Sequence, residues 1–179
     1  MVCEFHAKAD LQAIQSCVRG FQSLLDRLGP SLNTRVEAVS GWSPAQHLYH
    51  VVLATDLGLG NVLALVRGKG ILIRESGAIH PETEAILCSD SIPRGAAQAP
   101  RMVQPNERVE REQVEIELTN VDRSLQELES LADSIATSPG WIKHQVLGPL
   151  NASHWMRFCS LHAQHHLAII EEIESALVS

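Results

Sequence analysis

Aromatic residues are scarce in this chain of 179 residues: they make up 4% of it, whereas hydrophobic residues of all kinds make up 45%. A protein built on sheets usually carries more Tyr, Phe and Trp, and here Leu, Ala, Ile and Val supply the apolar content. The scarcity argues against a sheet protein. The length is sufficient for one compact domain with a buried core, and we expect residues 1–179 to form that single domain.

Clustered cysteines and an excess of basic residues are also missing. Cys3, Cys17, Cys88 and Cys159 are scattered, with no CxxC pair, which argues against a disulfide framework and against a zinc site built from thiolates. The formal net charge is -7. Because a nucleic-acid partner requires a basic face, the sequence predicts no such partner.

The sequence also shows no recognisable targeting signal. The first residues contain no basic segment followed by an apolar run, so no signal peptide is predicted. No stretch approaches the roughly 20 uninterrupted apolar residues of a membrane span. We therefore expect a cytoplasmic protein with no membrane partner.

Four segments repeat apolar side chains every three or four residues, which marks one face of a helix. They predict helices over residues 4–28, 44–67, 106–136 and 151–177, the last starting at Asn151 or Ser153. Ser43 and Pro44 are a suitable cap and first residue for the second helix. Gly58 and Gly60 lie inside that helix, which indicates either a close approach by another helix or ligand, or a local kink.

Two connections separate these helices. Residues 68–105 form a long connection with one short helix predicted over 81–87, and residues 141–150 are predicted as a second loop. In a bundle, the long connection would be a crossover between two helix pairs. With no convincing strand, the pattern predicts an all-α four-helix bundle with a long crossover between helices 2 and 3.

Three histidines occupy the predicted buried faces. His162 and His166 are four residues apart on the last helix, which places both imidazoles on one face, and His50 lies on the apolar side of the second helix. If these helices face each other, three neutral imidazoles meet in the core, where they would be unfavourable without a shared partner. Three nitrogens around a divalent ion leave one position open, which is typical of a catalytic site.

Other candidate groups have more ordinary interpretations beside the functional one. His47 is either a group behind the ligands or a proton shuttle, or else a packed or surface histidine. His165 should face a neighbouring helix or solvent, and Cys159 is either a thiolate ligand or a small core residue. The surface is the default position for four further histidines, namely His6, His80, His144 and His154.

Two short motifs resemble those of the DinB/YfiT-like superfamily. Trp42-Ser-Pro-Ala-Gln-His-Leu-Tyr-His50 resembles its first motif, a tryptophan that introduces helix two and a metal-binding histidine eight residues later. Trp155-Met-Arg-Phe-Cys-Ser-Leu-His162-Ala-Gln-His-His166 resembles its second, a tryptophan followed by H-x3-H on the final helix. The resemblance implies His50, His162 and His166 as metal ligands. Trp42 and Trp155 are expected to anchor the starts of their helices by packing.

The resemblance also implies a chemistry. Members of the superfamily with known activity use a divalent metal and a low-molecular-weight thiol to transfer or isomerise groups on electrophilic small molecules. An open metal position lowers the pKa of a bound thiol, and equally that of water, which would give a hydrolase. A metal- or ligand-binding stress-response protein without turnover, and a dimerising bundle with vestigial histidines, are the alternatives from other classes.

The sequence does not identify the metal ion, a general base or the state of assembly. Imidazole ligands suit zinc, nickel, iron and copper, with zinc, nickel or iron as the expected ion. No carboxylate stands out as a general base, because Asp56 lies well off the face of His50. Four acidic residues of the long connection could fold over the site: Glu75, Glu82, Glu84 and Asp90. Arg94 and Arg101 could also reach it and bind an anionic substrate, and the ordinary interpretation of all six is solvated loop charge. A homodimer is the default assembly.

Overall fold

Helices dominate the structure, a computed structural model that describes residues 4–95 and 98–178. Cys3 lies outside these residues. The bounds of the long helices are α1 (Ala7–Leu28), α2 (Pro44–Arg67), α4 (Arg111–Ile135) and α5 (Ala152–Leu177), and the short helix α3 spans Pro81–Leu87. Two short 3-10 turns, Gly29–Asn33 and Arg101–Val103, follow α1 and precede α4. The predicted all-α bundle with a long crossover is confirmed.

The packing order places α2 beside α5. α2 packs against α4 and α5, and α1 packs against the same two helices, so α1 and α2 lie diagonally across the bundle. The core between them is apolar, with Phe21, Leu48, Leu128 and Met156 among its fully buried side chains. This arrangement brings together the two helices that carry the candidate ligands.

The start of α4 differs from the prediction. The periodic pattern suggested a start at residue 106, but the helix begins at Arg111 behind the extended cap residue Glu110. Glu110 and Gln113 form a capping box, which satisfies the first backbone N–H groups. Asn106 lies before the helix because its carbonyl oxygen accepts a hydrogen bond from Gln46 on α2, at 2.9 Å. Likewise, α1 begins at Ala7, three residues later than predicted.

The segment predicted as a loop over 141–150 forms a β-hairpin. Its strands are β1 (Ile142–His144) and β2 (Gly148–Leu150), paired antiparallel with Ile142 opposite Leu150. Strands of three residues are too short to show a period of two in the sequence, which explains the wrong prediction. The hairpin is attached to the bundle by the indole N–H of Trp155, which donates to the Ile142 carbonyl oxygen at 3.2 Å.

The crossover between α2 and α4 is held against the bundle by Arg157 on α5. Its guanidinium donates to the carbonyl oxygens of Leu87 and Ser89, each at 3.0 Å, and to the carboxylate of Asp10 on α1 at 3.2 Å. Asp10 is buried, so this ion pair is shielded from solvent. The first half of the crossover is thereby fixed to α5 near its N-terminal end.

Gly58 of α2 lies at a close helix contact, whereas Gly60 does not. A Cβ at Gly58 would overlap the Sγ atom of Cys159 on α5, and the Trp155 ring lies 3.7 Å from the same position. Gly60 has nothing within 4 Å of such an atom. Close approach therefore accounts for the first glycine, and it brings the middle of α2 against α5.

α2 is also apolar enough, and long enough, to meet the length and composition of a membrane span. In the structure, 50% of its most apolar stretch is buried. A central helix of a bundle meets the same criterion because it packs against neighbours on several sides.

Candidate metal centre

The three predicted histidines meet where α2 faces α5. The Nε2 atom of His162 lies 3.2 Å from Nε2 of His50 and 3.1 Å from Nε2 of His166. One ring nitrogen from each residue can be chosen so that all three lie within 4.8 Å of one another. Within residues 4–95 and 98–178, this is the one group of three His, Cys, Asp or Glu side chains with such spacing.

The proton on His50 is placed by the crossover. Its Nδ1 atom lies 2.8 Å from the carbonyl oxygen of Val103. A carbonyl oxygen can only accept, so Nδ1 carries the proton and donates it to Val103. In the neutral ring, Nε2 is then unprotonated, and its lone pair faces the other two histidines.

His166 is connected to a second chain of hydrogen bonds that passes through His47. The two Nδ1 atoms are 2.9 Å apart, and Nε2 of His47 is 2.8 Å from the hydroxyl oxygen of Ser40. If Nδ1 of His166 donates to His47, then His47 donates to Ser40, and Nε2 of His166 presents a lone pair to the centre. His47 is thus the group behind a candidate ligand, which is one of the two interpretations that the sequence allowed.

His162 is held by stacking. Its ring lies parallel to that of Phe158, with centroids 5.2 Å apart and an interplanar angle of 15°. Its Nδ1 atom is buried and has no hydrogen-bond partner among the described residues. This ring therefore depends on its Nε2 side for polar interactions, and that side faces His50 and His166.

Burial keeps these rings neutral. It lowers the pKa of His50, an effect that the hydrogen bond to Val103 opposes and His165 reinforces. It lowers the pKa values of His162 and His166 well below the ordinary value, and the neighbouring histidines add to the effect. The pKa of His47 falls to about 3 for the same reasons. Neutral imidazole is the form that coordinates metal ions.

These observations fit a divalent cation. Three Nε2 atoms at 3.1 and 3.2 Å from their neighbours cannot all present lone pairs to one another unless a proton or a cation lies between them. Two of the three rings already have a partner that can orient Nε2 toward the centre, as the histidine ligands of metal sites usually do. The donor set, three neutral nitrogens with no thiolate, suits zinc, nickel or iron.

A cavity of about 910 Å³ opens beside the three rings. Its wall includes Trp155, Phe158 and Ile142 from the bundle and hairpin, and Ile92 and Pro93 from the crossover. Most of this lining is apolar, which is usual for a small-molecule site. The three histidines therefore face a space that a substrate can enter.

The charged residues at the cavity are basic. Arg94 and Lys143 line it, and no Asp or Glu does so among the described residues. The acidic residues of the crossover, Glu75, Glu82, Glu84 and Asp90, are exposed and lie outside the lining, as does Arg101. Asp56 accepts a hydrogen bond from Ser124 at 3.2 Å, on the side of α2 that faces α4.

Two histidines that the sequence assigned to the surface are not there. His154 is buried beside the rings of Phe5 and Trp141, with centroids 5.2 and 5.7 Å away, and its own ring accepts a hydrogen bond from the backbone N–H of Asn151 in a capping box. His144 is half-buried against Trp155 and Phe158, with ring centroids 5.2 and 4.7 Å away. The N-x-x-H spacing at 151–154 could have indicated the first, whereas nothing local indicates the second.

The remaining candidates have structural positions. Cys159 is fully buried against α2, and burial raises its pKa to about 12, so it is a core thiol that has no ready thiolate. His165 is half-buried at the cavity wall and lies outside the group of three. Trp42 packs its ring on His47 and His50, with centroids 5.3 and 5.1 Å away, and so covers the centre where α2 begins.

Comparison with known proteins gives one positive result. The family model described as the DinB superfamily matches residues 13–170, which include the three histidines and both tryptophan motifs. No curated protein and no solved structure matches the chain.

Proposed function

Because the chain belongs to the DinB superfamily, we propose that it is a metal-dependent enzyme that joins a low-molecular-weight thiol to an electrophilic small molecule. His50, His162 and His166 are the proposed ligands of one divalent ion. The observation that carries this proposal is the convergence of three Nε2 atoms on one wall of a largely apolar cavity.

When bound by the three histidines, a divalent ion would lower the pKa of a thiol, so that the nucleophile would be available at neutral pH. The chain supplies orientation and exclusion of water. Val103 and His47 hold the imidazoles of His50 and His166 through their Nδ1 atoms. The apolar wall holds the electrophile beside them and keeps out competing water.

The charges at the cavity favour thiol transfer over hydrolysis. The described lining contains no carboxylate, so a hydrolase at this site would have to use one of the lining histidines to accept a proton from water. A thiol, with a pKa of about 8.5, needs much less help to lose its proton than water does. The basic residues Arg94 and Lys143 also favour an anionic nucleophile in their vicinity.

The first test is metal content, measured by elemental analysis on untagged protein. We expect about one equivalent of zinc, nickel or iron in the wild type. His162→Ala should abolish it without loss of helical circular dichroism, because the substitution removes a ligand but no packed apolar group. His50→Ala and His166→Ala should do the same, whereas His80→Ala, at an exposed position outside the centre, should leave the metal in place.

The second test separates the functions. Loss of free thiol in the presence of an electrophile such as 1-chloro-2,4-dinitrobenzene should require both the metal and His162. Ester hydrolysis without thiol consumption would instead make the protein a metal-dependent hydrolase. Metal binding with neither reaction would leave a non-catalytic binding protein, and full metal content in His162→Ala would overturn the ligand assignment.

A further inference from the structure

Among the described residues, four of the seven large hydrophobic side chains that are exposed line the cavity. Large hydrophobic residues with relative exposures between 40% and 58% contribute four members to its lining. We call these four the rim: Leu57, Leu72, Met102 and Val146. Exposed apolar groups that surround a concave site mark a place where an apolar partner binds.

The rim is assembled from four separate parts of the chain. Leu57 belongs to α2, Leu72 to the segment after it, Met102 to the 3-10 turn of the crossover, and Val146 to the turn of the hairpin. The side chain of Gln145 reaches Met102, with its amide 3.0 Å from the sulfur atom. Because no local pattern explains four exposed apolar residues in such different segments, their common feature is the cavity that they line.

Apolar side chains also line the cavity beside the histidines. Phe158 stacks on His162, and Trp155 and Ile142 continue the wall. The volume of about 910 Å³ lies at the upper end of the range for small-molecule sites, roughly 300–1,000 Å³. An extended apolar molecule would therefore contact the rim with one part while another part reaches the three Nε2 atoms.

One cation at this cavity has no carboxylate partner. Arg94 pairs with Glu172 at 2.6 Å, which offsets part of its charge. Lys143 also lines the cavity and forms no ion pair with any described residue. No described acid lines the cavity, so an anionic group is attracted there and a cationic one is repelled.

We propose that the electrophilic substrate of this site is an amphiphile, with a long apolar body that contacts the rim and an anionic group that is attracted to Lys143. This inference rests on the proposed function, because it takes the cavity beside the histidines as the substrate site. The concave shape of the site and its continuity with the histidines favour a small molecule over a second copy of the chain as the partner of the rim.

The binding test uses unreactive probes and chelator-treated protein, so that neither metal nor turnover contributes. Octanoate, decanoate and dodecanoate, all below their micellar concentrations, are titrated by calorimetry. Each added CH₂ group should tighten binding about three- to fourfold, because its burial contributes ~0.8 kcal/mol. Decanoate should bind more tightly than decanamide, and decylammonium should bind most weakly. Affinities that do not change with chain length would overturn the inference.

Variants locate the site. Met102→Ser and Val146→Ser should each weaken dodecanoate binding at least about threefold, since each removes apolar contact area. Ile116→Ser is the matched control, because Ile116 is 60% exposed on α4 and lies outside the cavity. Lys143→Gln should reduce the preference for decanoate over decanamide about two- to fivefold, whereas Lys69→Gln, exposed and away from the cavity, should not.

The outcomes separate this inference from the proposed function. If wild-type protein contains metal but binds the probes without dependence on chain length or on the rim, only the substrate class is wrong. If metal is absent but the probe series behaves as expected, the metal-dependent reaction is wrong and the amphiphile site stands. A change in oligomeric state of Met102→Ser or Val146→Ser, measured by light scattering, would show that a second copy covers the rim, and would overturn the inference.

Discussion

α4 and α5 are helices of nearly equal length, 25 and 26 residues, that lie on opposite sides of the same bundle. Every buried side chain of α4 is apolar, whereas α5 buries His154, Ser160 and His166 among its apolar residues. Both show helical periodicity, so the two patterns look similar. What differs is that α5 buries polar groups, which is unfavourable unless each has a partner.

The comparison shows that α4 contributes mainly to stability, whereas α5 also contributes the groups of the candidate site. On α4, buried leucine and valine side chains contribute burial of apolar surface and little else. On α5, the polar groups are either satisfied locally, as His154 is by its cap, or directed at histidines of α2. A buried polar residue without a local partner is therefore the better indicator of function.

The largest effect on stability is expected from the apolar helix. Leu128→Ala removes a fully buried side chain of α4 and should lower the free energy of unfolding by about 2–5 kcal/mol. Metal content of the folded protein should not change, because α4 supplies no candidate ligand. Urea denaturation and elemental analysis measure the two quantities. Ile116→Ala, on the exposed face of the same helix, should change stability by no more than about 0.5 kcal/mol.

At the candidate metal centre, His47→Ala should weaken metal binding without unfolding the protein. The substitution removes the partner of Nδ1 of His166, and loss of such an outer partner typically reduces metal affinity about 10–100-fold. Competition with a chromophoric chelator measures the affinity. His165→Ala removes a neighbouring imidazole that has no hydrogen bond to the three candidate ligands, and an equal loss there would contradict the proposed role of His47.

Substitution of Gly58 tests the close contact between α2 and α5. Gly58→Ala introduces a methyl group against Cys159 and should destabilise the protein by about 1–3 kcal/mol. Gly60→Ala, two residues along the same helix with open space around it, should stabilise the protein by up to about 1 kcal/mol. Thermal denaturation of both variants gives the comparison, and equal signs would mean that close packing is not the reason for Gly58.

A pH-dependent effect concerns the hairpin. His144 accepts hydrogen bonds at Nδ1 from the backbone N–H groups of Val146 and Leu147, each at 3.1 Å, and burial lowers its pKa to about 4. Its contribution to stability is complete above its unfolded-state pKa of 6.5 and decreases as the pH falls from 6.5 toward 4, because the unfolded chain takes up a proton that the folded chain resists.

The variant His144→Asn isolates this contribution. An asparagine carbonyl can accept the same backbone hydrogen bonds but does not titrate. In metal-free protein, the unfolding free energy of the variant should fall less steeply between pH 6.5 and 4 than that of the wild type. The difference between the two slopes should correspond to the uptake of at most one proton on unfolding. Identical slopes would mean that the pKa of His144 is not lowered in the folded protein.

Much of the architecture could be predicted because it depends on local patterns. The bounds of α2 and α3 follow from Ser43-Pro44 and from Pro81, whose effects on the backbone are local. The start of α4 could not be predicted, because a contact between Gln46 and Asn106, 60 residues apart, holds the preceding residues in place. The hairpin at 142–150 is too short to show a period.

In the candidate site, too, some residues could be predicted from local patterns and others could not. His50, His162 and His166 were identifiable because their spacing places them on apolar helix faces, and the structure brings their nitrogens together; that they bind a metal stays a prediction. The partner of His47 could not be predicted, since His166 lies 119 residues further along the chain. His144 was assigned to the surface because its hairpin was not foreseen.

By itself the sequence determined the helices, their buried faces and the three histidines, because helical periodicity and capping depend on residues within a few positions of one another. The tertiary structure decided which nitrogen of each ring faces the centre, what lies behind His166, and that the rim surrounds one cavity. Those properties depend on contacts between segments far apart in the chain, which only the packing of α2 against α5, and of the crossover and hairpin against both, can specify.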